Sequence, residues 1–393
     1  MTAMGGIGAS HAGQGVITVA AGVSLDSLMR TVVPQGWFVP VSPGTSFVTV
    51  GGAIAADIHG KNHHVDGSFC DHVLSFEMRT PDGELRVVLP DRDPEVFWAT
   101  AGGMGLTGVI TSATLRLLRI ETSRIRVDTD RVSDIDELMA LMESGDAHYR
   151  YSVAWIDPLA GGRHLGRAVL SRGDHASLAD LDERERRDPL RFNPVSRLAA
   201  PPWMPNGLVR RATVQAFNEV WFRKAPKSQR DALHSLRAFF HPLDGVRGWN
   251  RVYGSQGFLQ YQLVVPTGEE DTLRNLVERL SSAGSPSFIS VLKRFGPGHG
   301  LLSFPIAGWT LTVDLPTGVA GLGQLLDELD ERVVEAGGRV YLAKDSRLRP
   351  HLLPRMYPEL PRWREIQSAL DPKGVMRSDL ARRLHLVSSS RDA

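Results

Sequence analysis

Three short glycine-rich segments constrain what this chain can fold into more than any other feature of its sequence. They span residues 43–45, 51–53 and 101–108. Glycine lets backbone N–H groups come close to a phosphate or a planar ring, because no Cβ stands in the way. The third segment lacks the last glycine of a Rossmann fingerprint and leads into a predicted strand, and the chain has no Walker A lysine. The segments therefore disfavour a nicotinamide or ATP site, although each alone is compatible with a tight turn.

The bulk composition is that of an ordinary globular protein with two domains. The 393 residues are too many for one compact core, and 42% of them are hydrophobic. The 45 basic and 44 acidic side chains leave a net charge of +1, which argues against a nucleic-acid binder. Cys70 is the only cysteine, so no intrachain disulfide can form. The first residues lack a secretory signal pattern and no stretch approaches a membrane span, so we expect a cytoplasmic or peripherally membrane-associated protein.

Hydrophobic periodicity predicts a mixture of strands and helices. Residues 16–23 alternate as a strand, and a helix with Ser24 as its N-cap follows. Residues 73–89 predict a hairpin, and residues 258–266 alternate cleanly as a strand. The order of these elements indicates an α+β fold with an antiparallel sheet.

We expect the chain to be organised around two domains. Residues 1–123 would form the first, residues 124–338 the second, and residues 339–393 would return to the first. Residues 181–211 are rich in arginine and proline and are predicted to be a mobile loop.

Residues 59–64 read His-Gly-Lys-Asn-His-His and concentrate polar side chains after a run of small apolar residues. Zinc is disfavoured as their ligand, because no Cys-x-x-Cys or His-x-x-x-His cluster accompanies them. A solvated polar loop remains one interpretation. We favour a cofactor or substrate loop, because the apolar run before it would bring these side chains to a buried edge.

Polar side chains also interrupt the apolar strands of the second domain. Gln260 and Gln262 are two residues apart and therefore share one face of a strand. Lys293 and Lys344 lie within or next to other apolar stretches. Buried amides need hydrogen-bond partners, so these residues indicate either a polar site or a solvent-facing sheet surface.

Long segments of the sequence resemble the decaprenylphosphoryl-β-D-ribose 2′-oxidase family, whose FAD-binding domain is of the vanillyl-alcohol oxidase (PCMH) type. The resemblance covers nearly the whole chain and rests on motifs much longer than a glycine pattern. They are VTVGGAIAADIHGKNHH, FWATAGGMGLTGVI, FLQYQLVVP, SVLKRFGP, LSFPIAGW, VYLAKDSR, MYPELPRW and SDLARRL. The wider relatives are sugar and aldonolactone oxidases.

The resemblance implies that FAD oxidises the 2′-hydroxyl of a polyprenylphosphoryl ribose, in the synthesis of the arabinose donor for cell-wall arabinan. A separate NADH-dependent short-chain reductase would be the pathway partner, and family members are placed at the cell envelope. The implied catalytic residues are Lys344, Gln260 and Gln262. The implied FAD contacts are Pro43, Gly44, Thr45, Gly51, Gly52, Ala53, His59, Gly60, Asn62, Gly102, Gly105, Thr107, Gly108 and Tyr341. The implied substrate contacts are Lys61, Trp155, Lys293, Thr310, Thr312 and Phe240.

The sequence departs from the family pattern in two ways. The opening part of the family's FAD domain has no counterpart here, so the alternatives of a non-catalytic homologue and of an oxidase for another sugar or aldonolactone stay open. In the pocket, Thr312 stands where a family member has a reactive cysteine, Thr310 replaces an asparagine, and Phe240 replaces a tyrosine. We expect covalent inhibition at that cysteine position to fail.

Overall fold

The computed structural model describes residues 15–387 except 197 and 206. These residues form two large antiparallel sheets, of four and eight strands, and two sheets of two strands each. The strands are β1 Val16–Ala20, β2 Trp37–Phe38, β3 Val73–Arg79, β4 Leu85–Val88, β5 Val109–Arg116, β6 Leu118–Arg119, β7 Arg124–Val132, β8 Tyr151–Ile156, β9 Ala168–His175, β10 Leu198–Ala199, β11 Ser228–Ser235, β12 Val246–Arg247, β13 Phe258–Pro266, β14 Ser290–Phe295, β15 Gly308–Pro316 and β16 Arg339–Val340. The mixture confirms the predicted α+β class.

The helices are distributed over both parts of the chain. They are α1 Leu25–Val32, α2 Val50–Ala55, α3 His63–Asp66, α4 Pro94–Thr100, α5 Ile135–Gly145, α6 Arg211–Lys224, α7 Leu236–Phe240, α8 Glu270–Ala283, α9 Leu322–Glu335, α10 Leu353–Met356, α11 Leu360–Leu370 and α12 Asp379–Leu384. Within the described ranges, no helix has the length and apolar character needed to cross a bilayer.

The smaller sheet has the strand order β1-β5-β3-β4, with every neighbouring pair antiparallel. The predicted strand and hairpin are confirmed as β1 and the β3–β4 pair. The predicted N-cap is also confirmed, because the Ser24 side chain accepts a hydrogen bond from the backbone N–H of Ser27 at the start of α1. Leu25, Leu28 and Met29 of α1 are buried against the sheet core.

The larger sheet has the order β11-β7-β9-β8-β14-β15-β13-β16. On β13, the predicted period of two is confirmed: Tyr261, Leu263 and Val265 join the core beneath helices α5, α8 and α9. The alternate residues, Gln260 and Gln262, point to the opposite face. Burying each large apolar side chain contributes about 1.5–3 kcal/mol to the stability of the fold. A shift of β13 by one residue would expose these side chains, so their burial determines the pairing register of β13 and which side chains lie on the polar face.

The last helices pack into the core of the larger sheet and contact the third glycine-rich segment. After β16, the chain forms α10, α11 and α12. Trp363 of α11 is fully buried, and its indole Nε1 donates a hydrogen bond to the carbonyl of Ala99 at 2.8 Å. Gln367, one turn further along α11, donates to the carbonyl of Leu106 at 3.2 Å. These two hydrogen bonds end just before and within the third glycine-rich segment, so α11 holds the backbone of that segment in place.

The segment after α2 is the main contact between the two sheets. Asp57 has a left-handed φ of 38° and is completely buried. Its carboxylate accepts hydrogen bonds from the Cys70 backbone N–H and from the Ser303 hydroxyl. Burial raises the pKa of this carboxyl. Ser303 precedes β15 of the larger sheet, so this buried contact holds residues 57–64 against the polar face of that sheet.

The segment 181–211 and the helix after it differ from what the sequence predicted, and one expectation concerns residues outside the described range. The predicted loop 181–211 contains a short 3-10 turn at Glu185–Arg187 and the two-residue strand β10, which pairs with β12. Helix α6 follows it directly and was not predicted. The expectation about a secretory signal falls on residues 1–14, which lie outside the described residues.

Candidate active site

A buried hydrogen-bonded chain links the two sheets at the centre of the site. The amide Nε2 of Gln262 donates to His59 Nε2 at 2.9 Å and to Thr310 Oγ1 at 3.0 Å. Thr310 in turn donates to the carbonyl of Leu263 at 2.8 Å. Because the amide must donate, His59 accepts at Nε2, and a neutral ring then carries its proton on Nδ1. Burial, followed by the charges of Lys293 and Lys344, lowers the pKa of His59 well below its usual value.

Two polar atoms of this series of hydrogen bonds are available to bind a ligand. His59 Nδ1 and Gln262 Oε1 are buried, and neither has a hydrogen-bond partner among the described residues. A buried polar atom without a partner costs about 1–3 kcal/mol. The pair offers one donor and one acceptor, so a ligand with complementary groups would remove that cost.

Three lysines from separate parts of the chain approach this centre. Lys61 follows His59 in the loop after α2, Lys293 lies on β14, and Lys344 lies in a 3-10 turn after β16. Loss of hydration lowers the pKa of Lys61 and of Lys293 to about 7, and the charges of Lys344 and Lys61 also lower that of Lys293. The Lys293 Nζ lies 3.5 Å from the Gly60 carbonyl, and the Lys61 Nζ donates to the Phe239 carbonyl.

Lys344 differs from the other two because a carboxylate lies near it. Loss of hydration lowers its pKa to about 8, and the charge of Asp314 opposes that shift. Its Nζ lies 6.0 Å from the centre of the Tyr341 ring. An amine of this pKa has a neutral fraction of roughly a tenth to a fifth near physiological pH, and that fraction can accept a proton from a hydroxyl group.

Asp314 is the site residue that sequence reasoning missed. It lies on β15 in register with Gln260 of β13, and the Gln260 Nε2 donates to its Oδ1 at 2.5 Å. Its Oδ2 is buried and has no partner in the described part of the chain. Burial raises the pKa of this carboxyl to about 6, against the lowering effects of Gln260 and Lys344. The signal was present in the sequence, because Asp314 shares the strand alternation of Thr310 and Thr312.

An apolar wall of aromatic rings borders the polar centre. The rings of Phe304 and Tyr341 stack with centroids 4.7 Å apart, and the His59 ring lies 4.8 Å from Phe295 and 5.2 Å from Tyr341. The Tyr341 hydroxyl donates to the Ala56 carbonyl at 2.9 Å, which fixes the ring against the segment after α2. Trp155 is held in a similar way, because its Nε1 donates to the Phe288 carbonyl at 3.0 Å.

The glycine-rich segments fall into two classes. A Cβ at Gly51 would lie 2.9 Å from the Ala21 Cβ, and one at Gly108 would lie 2.8 Å from the Arg79 carbonyl oxygen, so protein packing already requires glycine there. A Cβ at Gly102 would come within 3.3 Å of the Ser303 backbone. At Gly44 and Gly105, no protein atom lies within 4 Å of the position a Cβ would occupy. Only the last two positions leave open space beside the backbone.

The structure places the remaining candidate residues as follows. Thr45 Oγ1 donates to the Asp244 carboxylate at 2.8 Å, Thr107 is buried and donates to the Thr100 hydroxyl, and Asn62 donates to the Pro40 carbonyl. Phe240 is buried in an aromatic cluster with Phe38 and Tyr151. Its ring lies 5.1 Å from that of Phe239, the ring that Lys61 contacts. Four further predicted cofactor contacts lie in these loops and helices: Pro43 precedes Gly44, Gly52 and Ala53 lie on α2, and Gly60 lies beside Asn62. The predicted substrate contact Thr312 lies on β15, opposite Gln262 of β13.

A large cavity lies apart from this centre. Its volume is about 1120 Å³, and residues of 181–198 and of 235–246 line it. Its wall meets the first glycine-rich segment where His241 is hydrogen-bonded to Ser42 at 2.7 Å and where Asp244 accepts from Thr45 at 2.8 Å. We place the active site at the lysines, because the buried unpartnered polar atoms and the shifted pKa values are found there. Among the described residues, no group of His, Cys, Asp and Glu side chains could hold a metal ion.

The site has the features that an isoalloxazine ring and its diphosphate need. The His59 Nδ1–H is a buried donor with no protein acceptor, rings form an apolar wall beside it, and open glycine backbone lies at Gly44 and Gly105. The residues present therefore fit FAD.

Comparison with known proteins agrees with this fit. Residues 1–88 match the FAD binding domain family. The chain is 46% identical over 390 residues to decaprenylphosphoryl-beta-D-ribose oxidase of Mycolicibacterium smegmatis, a match that covers 98% of this chain and 84% of that protein. It is 45% identical over 374 residues to a Streptomyces coelicolor protein described as an uncharacterized protein in the mprA 5′ region, covering 93% of this chain and all of that protein.

More distant matches are confined to about a quarter of the chain. An FAD-linked oxidoreductase of Aspergillus fumigatus is 32% identical over 103 residues, which is 26% of this chain and 16% of that protein. The long match and the matched domain together make this chain an FAD-dependent oxidoreductase. It belongs to the decaprenylphosphoryl-β-D-ribose oxidase family.

Proposed function

We propose that this chain uses FAD to oxidise the 2′-hydroxyl of decaprenylphosphoryl-β-D-ribose to a 2′-keto sugar. The relative from Mycolicibacterium smegmatis supports this substrate. The observation that carries the proposal is the arrangement around Lys344, which lines one small cavity with Gln260 and Gln262, while Gln260 is bonded to the buried Asp314. Loss of hydration lowers the pKa of this amine to about 8. This is the chemistry required for removing a proton from a sugar hydroxyl beside an electron acceptor.

We assign FAD binding to the residues around the unobstructed backbone of Gly44 and Gly105 and around the His59 Nδ1–H donor. Gly44, Gly105 and their neighbours in the three glycine-rich segments would hold the cofactor, with His59 and Tyr341 at its ring. Bound FAD supplies the two-electron acceptor that oxidation of a carbinol carbon requires.

The protein's own contribution to the reaction is proton transfer and orientation. Neutral Lys344 takes the proton of the reacting hydroxyl, and the nearby Asp314 stabilises the ammonium that forms. The free Gln262 Oε1 accepts a hydrogen bond from a sugar hydroxyl, while Gln260 is held in place by Asp314.

Lys61 and Lys293 are assigned to the phosphate. Both have a pKa of about 7 in the free protein, so each is only partly charged. An anionic phosphate nearby favours their charged form, so substrate binding raises their pKa and creates charge-assisted hydrogen bonds. Thr310, Thr312 and Trp155 share this side of the sheet and would border the sugar, and Phe240 would act only through the packing of Phe239 against Lys61.

Anaerobic flavin reduction tests the proposal directly. Purified holoprotein is mixed with decaprenylphosphoryl-β-D-ribose, and the flavin absorbance and the mass of the product are followed. We expect bleaching of the flavin and a product two hydrogens lighter. Bleaching by D-arabinono-1,4-lactone, with none by the prenylphosphoryl ribose, would contradict the proposal.

The pH dependence of that reduction should report Lys344. Its rate should rise with pH and level off above about pH 8, because the base is the neutral amine. Replacing Asp314 with asparagine removes the charge that raises the Lys344 pKa. We expect the midpoint of the Asp314→Asn profile to shift to lower pH, and an unshifted midpoint would remove Asp314 from its assigned role.

The other parts of the assignment concern domains, mobility and partners. We propose that residues 1–123 and 339–393 form the FAD-binding domain and residues 124–338 the substrate domain. An NADH-dependent short-chain reductase would act on the keto product, and contact with the membrane would be peripheral at the cytoplasmic or envelope side.

We propose that the loop 181–211 is mobile in the free protein, and hydrogen exchange tests this. Its backbone amides should exchange much faster than those of the neighbouring strand β9, because most of its residues are exposed. Protection as strong as that of β9 would contradict this expectation.

A further inference from the structure

Helix α6 presents an apolar surface to solvent. Phe217, Val220 and Trp221 are 47%, 66% and 47% exposed, and the Phe217 and Trp221 rings stack with centroids 6.1 Å apart. We call these three residues the α6 face. Exposed contiguous aromatic and aliphatic side chains of this size mark a binding surface.

The side of α6 next to this face is firmly anchored, so the orientation of the helix is determined by the fold. Asn218 is fully buried, and its Nδ2 donates to Asp157 Oδ1 at 2.7 Å and to the Ser287 carbonyl at 3.3 Å. Val214 is also buried, and Glu219 forms an ion pair with Arg167 at 2.6 Å. Removing either polar anchor would leave a buried group unpaired, so the helix cannot simply rotate its apolar residues inward.

A continuous series of aromatic rings leads from the α6 face toward the active site. Phe217 lies 5.7 Å from Phe288, Phe288 lies 5.5 Å from Tyr253, and Tyr253 stacks on Phe258 at 4.3 Å. Phe258 begins β13, two residues before Gln260. We call these four residues the aromatic series.

The two inner residues of the aromatic series, Tyr253 and Phe288, are connected to residues of the site. Loss of hydration, followed by the charge of Asp314, raises the pKa of Tyr253. The Tyr253 hydroxyl is buried without a partner among the described residues. Trp155 donates to the Phe288 carbonyl. The series therefore connects an exposed apolar surface with a buried polar centre.

The charges around the α6 face are predominantly positive. Residues 210–227 contain five basic side chains, all exposed, and one acidic side chain, Glu219, which is engaged by Arg167 and Arg223. A helix with an apolar face and basic flanks binds lipid surfaces that contain anionic head groups.

We propose that the α6 face binds a lipid bilayer with anionic head groups, and that the aromatic series receives the prenyl chain as it leaves that bilayer. The second part rests on the proposed function, which requires a lipid-linked sugar. The phosphate and sugar then reach the lysines while the chain stays in apolar surroundings, so substrate need not be fully extracted into water.

Vesicle binding tests the first part without any enzymatic readout. Holoprotein is sedimented with vesicles of phosphatidylglycerol and phosphatidylcholine, and with vesicles of phosphatidylcholine alone. We expect binding to the anionic vesicles and a loss of about 10- to 100-fold in partitioning for the double variant Val220→Ser, Trp221→Ser, which leaves the aromatic series intact. The matched control is Leu85→Ser, Val87→Ser on β4, where the side chains are 54% and 57% exposed.

Three outcomes of the vesicle-binding experiment would overturn the proposal. Equal binding of the α6 double variant and the wild type, or no binding of the wild type, would overturn the proposal. Self-association of the wild type without vesicles, abolished by the same variant, would assign the face to a second copy of the chain and overturn it as well.

Flavin reduction then separates this proposal from the proposed function. The α6 double variant should react normally with a short-chain, water-soluble prenylphosphoryl ribose and slowly with the long-chain substrate presented in vesicles. If the wild type reacts with neither substrate, the proposed function fails while the vesicle-binding result still stands. An equal loss with both substrates would contradict the role of the aromatic series.

Discussion

Replacing Lys344 with methionine should lower substrate-driven flavin reduction about 10²–10⁴-fold, the contribution usual for a positioned acid or base. Lys344 is the one lysine of the three that has a carboxylate near it, and its pKa of about 8 leaves a usable fraction of neutral amine. Methionine keeps the length and the apolar contacts of the side chain but cannot accept the proton. FAD should remain bound, because the residues assigned to it are unchanged.

A control and two readouts make this result specific. Lys373→Met removes an exposed lysine elsewhere in the chain and should leave the reduction rate unchanged. Flavin absorbance per protein and the thermal midpoint report cofactor retention and folding. A normal rate in Lys344→Met would exclude Lys344 as the base. Loss of the flavin would show that the side chain supports cofactor binding, and a lowered thermal midpoint would show that it supports the fold.

The strand β13 shows how far sequence alone could reach. Alternation over residues 258–266 predicted the strand and the shared face of Gln260 and Gln262, because a buried opposite face forces a period of two. The partners of these amides could not be predicted in the same way. Gln262 bonds to His59, 203 positions away, and that contact depends on how the segment after α2 meets the larger sheet.

Asp314 and the glycines show what tertiary structure adds. An acid near the end of a strand is usually solvated, and only the register of β13 with β15 places Asp314 opposite Gln260 and out of water. The sequence likewise treats all the glycines alike. The structure separates Gly51, which packing against Ala21 requires, from Gly44, which faces open space. Helix α6 was missed because its exposed apolar residues obscure the usual amphipathic pattern.

Replacing Gly44 with leucine should weaken FAD binding about 5- to 150-fold without unfolding the protein, an effect that corresponds to about 1–3 kcal/mol of overpacking. No protein atom lies within 4 Å of a Cβ at this position, and its φ is outside the left-handed region, so the substitution costs the free protein little. The loop itself is held by Thr45 and Ser46, which both bond to Asp244 at 2.8 Å. The leucine side chain would therefore occupy the space that we assign to the cofactor.

Gly323→Leu is the matched control, because Gly323 on α9 is equally unobstructed and also lies outside the left-handed region. FAD affinity is measured by titrating the apoprotein and following flavin fluorescence, and the thermal midpoint of each apoprotein is measured beside it. We expect both variants to keep the wild-type midpoint and only Gly44→Leu to lose affinity. If Gly44→Leu binds FAD as tightly as the control, the cofactor does not pass this backbone, and the assignment of residues 43–45 is wrong even though the family membership remains.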